Sequence, residues 1–154
     1  ELCQNALIEN ILSTGVCIEM NLSESLLRVR ADGTLEQIPV AAGGVTQIML
    51  ADLLHTDVTE RLRVSQRPAN LRVGDAVLCF FLDARSGDRS LDANTLGTCL
   101  YHTGCPIYGD LIFALCAQDS DSAEVSGFDA VQYAQLLAWL QTDFSALLHE
   151  NHTI

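Results

Sequence analysis

Two apolar runs, AVLCFFL at 76–82 and LIFALCA at 111–117, constrain this 154-residue chain more than anything else in it. Each is approached through a Gly-Asp pair, at 74–75 and 109–110, and the first is left through Ser86-Gly87-Asp88. Short apolar runs bounded by turn residues read as buried strands. Around them lie weaker signals of the same class. LLRVRADGTLEQIPV (26–40) alternates apolar and polar residues about Asp32-Gly33. Asp-Gly suits a two-residue primed turn, so a hairpin is expected there. RLRVSQ (61–66) alternates again and reads as a further strand.

Helical spacing fills the remainder. Leu2, Ile8, Ile11 and Leu12 suggest a helix over 2–12 stopped by Gly15. Val45, Ile48, Met49 and Leu53 fall on one face of a short helix. Asn94 can cap another from Thr95 to about His102, with Gly104 placed to end it. Residues 119–127 are small and polar, a solvent loop. Phe128, Val131, Leu136, Leu137, Leu140, Phe144, Leu147 and Leu148 trace one face of a last helix ending near His149. Asp129 with Gln132 offers it a capping box. The expected fold is α+β: a mainly antiparallel sheet with packed helices and a long C-terminal amphipathic helix. We expect one domain over 1–154, with a helical extension at 1–25, a sheet-rich core at 26–117 and the helix at 128–150.

Charge limits the partners. Lysine is absent, and the eight arginines all lie between Arg28 and Arg89. The net charge of −12 divides as −4 over 1–27, 0 over 28–89 and −8 over 90–154. Such a chain repels nucleic-acid phosphates and anionic membranes overall, while the arginine window can still grip an anion locally. No apolar run is long enough to span a bilayer, and residues 1–20 lack the pattern of a secretory signal. The expected compartment is the cytoplasm.

The six cysteines are Cys3, Cys17, Cys79, Cys99, Cys105 and Cys116. Cys79 and Cys116 sit inside the apolar runs, where a thiol acts as a small hydrophobe, and reduced cysteines are expected.

NTLGTCLYHTGCPIYGD (94–110) holds most of the chain's candidate chemistry. Cys99, His102 and Cys105 are spaced by threes, but tetrahedral zinc takes four ligands and no second Cys/His pair lies nearby, so no metal is expected. Cys99, His102 and Asp110 could act as nucleophile, base and orienter of a small hydrolase or transferase, although acidic surroundings disfavour a thiolate. The remaining reading is a turn that contacts a ligand. Asn94, Thr98, Tyr101, His102, Tyr108, Gly109 and Asp110 would then supply amide, hydroxyl, ring and backbone N–H groups to a nucleotide-like molecule. Against it stands packing, with the two tyrosines holding a helix to the sheet and Asn94 only capping. For a phosphate, Arg67, Arg72 and Arg85 are the cationic options.

NTLGTCLY followed by PIYGDLIFAL resembles a family of uncharacterised small domains found in phages, plasmids and gut bacteria. Its members carry Asn, two residues, a small residue and Thr, then Leu-Tyr, and later Pro-Ile-x-Gly-Asp before a final strand. ADGTLEQIPV and VGDAVLCFFLDARSG are similar to that family's opening hairpin and central strand pair, so the likeness covers about residues 26–117. Asn94, Thr98, Tyr101, Pro106, Gly109 and Asp110 fit the signature; Gly97 stands where alanine is usual, and the Cys105-Pro106 junction is this chain's own. The resemblance implies a mobile-element context, often beside genes that blunt host defence, and no established activity.

The expectation is therefore a non-catalytic binding protein, without a cofactor, that sequesters a nucleotide-like ligand or blocks a host defence protein. The alternatives are the Cys99 or Asp110 enzyme, an acidic DNA mimic whose densest cluster is QDSDSAE (118–124), and an oligomerising module using the terminal helix, so a homo-oligomer stays open.

Overall fold

The computed structural model describes residues 24–101, 103, 105–118 and 124–149. The helix expected over 2–12 lies outside them. The described chain runs β1 (Ser25–Val29), β2 (Leu35–Pro39), α1 (Gln47–Leu54), β3 (Thr59–Arg63), β4 (Ala76–Asp83), α2 (Thr95–Leu100), β5 (Leu111–Ala117), β6 (Val125–Ser126) and α3 (Ala130–Asp143), followed by a 3₁₀ turn at Ser145–Leu147. The α+β fold with a C-terminal helix is what the sequence led us to expect. None of the described helices is long and apolar enough to cross a membrane.

The sheet order is β2-β1-β5-β4-β3, with every pairing antiparallel. The two apolar runs are its central neighbours, β4 and β5, in register from Ala76 opposite Ala117 to Phe81 opposite Ile112. Their continuous hydrophobicity follows from cover on both faces. On one face Leu27, Phe80, Phe113 and Leu115 pack with Leu96 and Leu100 of α2 and Leu136 and Leu140 of α3. On the other, Leu26, Phe81, Ile112 and Ala114 meet Leu50 and Leu54 of α1. The rings of Phe80 and Phe113 meet edge to face at 5.7 Å in the centre of the first layer.

Several details depart from the periodicity. The first hairpin has a three-residue loop, not a two-residue turn. Gly33 N–H donates to Arg30 O, and Gly33 takes φ +91°, the combination of a type I turn closed by a left-handed glycine. A side chain at Gly33 would also strike the backbone of Leu147 and His149. The end of the expected solvent loop at 119–127 is structured instead: β6 pairs with β5, and Phe128, just after it, exchanges two backbone hydrogen bonds with Ser25. This short segment therefore shares with β1 the edge of β5 opposite β4.

The strand read at 61–66 runs from 59 to 63. α1 buries Leu50 and Leu54, leaving Ile48 75% exposed; α3 buries Leu136 and Leu140, leaving Val131 65% exposed. α3 starts in the expected Asp129–Gln132 capping box but ends at Asp143, and Phe128 packs ahead of it rather than on it.

Candidate functional site

Asn94 organises the segment singled out in the sequence. It is 1% exposed, and its Oδ1 accepts from Gly97 N at 3.0 Å as the N-cap of α2. Its Nδ2 donates to Gly109 O at 2.9 Å and Val29 O at 3.2 Å. Thr98 Oγ1 donates to Asn94 O and accepts from Ile107 N, at 3.0 and 2.9 Å. The N–H of Gly109, expected to be free, donates to Asp92 O at 2.7 Å. Asp110 engages the first hairpin, accepting from Ala31 N at 3.1 Å with Arg30 at 3.6 Å.

The fold thus joins Asn94, Thr98, Gly109 and Asp110 into the link between α2 and β5, with their polar groups bonded inside the protein. A buried amide with all its polar atoms engaged has nothing left to offer a ligand. Tyr101 and Tyr108 are half-buried, Tyr101 packing against the core. His102 and Gly104 lie outside the described residues. Cys99 and Cys105 are exposed free thiols, and among the described residues no group of three or more His, Cys, Asp or Glu is arranged to hold a metal.

A different polar centre lies at the C-terminal end of β4. Asp83 is 3% exposed; its Oδ1 accepts from Thr56 Oγ1 and Arg85 N, both at 2.9 Å, and its Oδ2 accepts from Arg89 Nη1 at 2.6 Å. The same Nη1 donates to His55 O at 3.1 Å, where α1 ends. Arg89 is therefore clamped between a buried carboxylate and a helix C-terminus, both favourable to a cation. The backbone of 85–89 closes as a helical turn, with Arg89 N donating to Arg85 O, so the two guanidinium stems rise one turn apart. The side chain of Arg85 is 58% exposed, and Asp57 approaches it only to 3.9 Å.

These arginines, His55, Thr56 and Asp52 line an open hollow of about 480 Å³. Two non-glycine residues take the left-handed conformation among the described residues, His55 at φ 56° and Ser90 at φ 57°, and they stand at the two ends of this constellation. Such strain persists only where surrounding bonds impose it. The sequence brought out Arg85 but not Asp83 or Arg89. The available signal was an acid closing an apolar strand, followed by arginines four residues apart.

No protein-family model matches the chain, and comparison with curated proteins and with solved structures found no match.

Proposed function

We propose that this chain is a non-catalytic binding protein of the phage or mobile-element type, which sequesters a small nucleotide-like ligand by its anionic group. The carrying observation is the pair Arg85 and Arg89 over one hollow, the second clamped by Asp83 and the first held only loosely. A preset guanidinium beside an available one suits bidentate capture of phosphate or carboxylate. The clamp removes part of the ordering cost of binding. Asp52 and Asp57 line the same hollow, so a bound anion must displace Asp57 from Arg85, while acids beyond about 8 Å are screened at physiological salt. The mobile-element setting rests on the resemblance of residues 26–117 to phage and plasmid domains.

The test is calorimetric titration with pyrophosphate, ADP-ribose and cyclic dinucleotides, alongside Arg85→Ala. Binding that is lost in the variant and returns intact ligand on heat release supports the proposal. Turnover of the ligand, or no heat with any of the three, defeats it.

A further inference from the structure

The last rung between β3 and β4 is the bond from Val64 N to Leu78 O at 3.1 Å. Beyond it the chain leaves β4 for α2, since Ser65 N and Ser65 Oγ both donate to Leu100 O, at 3.1 and 2.8 Å. β4 keeps its strand form past this point, through Val77 to Ala76. The parting leaves a hollow of about 310 Å³, lined by the half-buried Val73, Ala76 and Val77 and by the exposed Arg63, Arg67 and Gln118.

Charge sets this hollow apart. In a chain of net charge −12, Arg28, Arg30, Arg85 and Arg89 each have a carboxylate within 4.0 Å. Among the described residues Arg63 and Arg67 have none, and no Asp or Glu lines the hollow. Asp75 and Asp143 line neighbouring hollows, which share Ala76 and Arg67 with it. Arg67 is partly preset, because its Nη1 donates to Leu71 O at 3.2 Å and the rest of its guanidinium fork stays open. Two guanidinium groups without acids repel one another, and an anion held between them reverses that cost.

Two positive charges match a dianion better than a monoanion. A phosphomonoester carries roughly −1.5 to −2 at neutral pH and presents three acceptor oxygens to planar donor forks. The volume stands at the small end of ligand pockets, which run from about 300 to about 1,000 Å³, so the organic body must be short. Val73, Ala76 and Val77 give that body an apolar surface.

We propose that Arg63 and Arg67 form a binding site for a small phosphomonoester, with its phosphate between the two guanidinium groups and its organic group on Val73, Ala76 and Val77. The site is separate from the Arg85 hollow. The two stand at opposite ends of β4, and its eight residues span roughly 25 Å.

The experiment is calorimetric titration of the full chain carrying Arg85→Ala, which disables the other arginine pair, with phenyl phosphate, inorganic phosphate and benzoate. Phenyl phosphate should bind at one equivalent, and more tightly as pH rises through about 6, where its second proton leaves. Inorganic phosphate should bind less tightly for want of the ring, and benzoate for want of the second charge. Arg63→Gln and Arg67→Gln should each weaken phenyl phosphate about tenfold, the effect of losing a charge-assisted hydrogen bond. Arg72→Gln, outside the lining, should leave binding unchanged. All three arginines are exposed, so the variants should fold. No binding of phenyl phosphate, an equal loss in Arg72→Gln, or benzoate binding as tightly as phenyl phosphate would each overturn the proposal.

Discussion

Asn94 Nδ2 donates to the carbonyl of Gly109 at 2.9 Å, so the residue that caps α2 also fixes the approach to β5 fifteen positions later. A further bond from the same nitrogen reaches Val29 O in β1. Asn94→Ala loses the cap, worth about 1 kcal/mol, and leaves two carbonyls without this donor. We expect a loss of about 3 kcal/mol in urea unfolding. Asn94→Asp keeps the cap acceptor but turns an oxygen toward both carbonyls, so it should recover little. An alanine variant within 0.5 kcal/mol of the parent, the scale of an ordinary surface change, would show that this hub is dispensable.

Gly97 carries a second test of the same link. A Cβ there would stand 2.7 Å from Leu111 Cδ1 and 3.0 Å from Ile107 Cγ2, both in sealed core positions. Alanine gains about 1 kcal/mol in helix propensity. Overpacking costs about 1–3 kcal/mol. Packing wins, and Gly97→Ala should lose about 1 kcal/mol in the same assay. A stabilised variant would mean that Leu111 gives way freely.

These two positions show what the sequence reveals. Asn94 was legible as a cap because Asn before a helical run has a local partner, three residues on. Its bonds to Gly109 and Val29 depend on how β1 and β5 meet, which no local pattern encodes. The central strands were legible because seven apolar residues between turns leave little choice. The buried face of α1 was not: Ile48 is exposed while Leu50 and Leu54 are buried, because an eight-residue helix offers too few turns to fix a phase. Asp83 escaped notice for a related reason. Its partners Thr56 and Arg89 lie on opposite sides of it in the sequence and converge only when α1 and β4 end together.

Acid should weaken the first hairpin through Glu36. It accepts from Arg28 at 2.7 Å and from Arg30 at 3.0 and 3.3 Å, and the Arg28 bond leads in holding its carboxyl below the ordinary 4.5. A carboxylate whose pKa is lower in the folded state stabilises it fully above the unfolded value. That contribution disappears as pH falls through the folded value. The loss therefore falls below about pH 4.5, and Glu36→Gln should flatten this part of the stability–pH curve. An unchanged acid limb in the variant would remove Glu36 from the account.

Alkali reports on Tyr133. Burial pushes its phenol up from 10.0 to about 12. Between these values the unfolded chain sheds the proton while the folded chain holds it, so stability falls as pH rises. Phenolate absorbance of the folded protein should include one step near 12 that is missing from Tyr133→Phe. Retention of that step would assign it elsewhere.

The two arginines of the hollow should separate under mutation. Arg85 is 58% exposed with its nearest acid at 3.9 Å, so Arg85→Ala should change stability by no more than about 0.5 kcal/mol. Arg89→Ala removes the guanidinium from a carboxylate that is 3% exposed, although Thr56 and the Arg85 N–H still donate to it. Uncompensated buried charge is costly, but the 44% exposure of Arg89 admits water, so we expect a loss of about 2 kcal/mol. Both substitutions should weaken an anionic ligand, because each removes one arm of the same grip. If Arg85→Ala instead unfolds the protein while ligand affinity survives Arg89→Ala, the turn at 85–89 is a structural clamp, and the hollow beside it is not where the ligand is held.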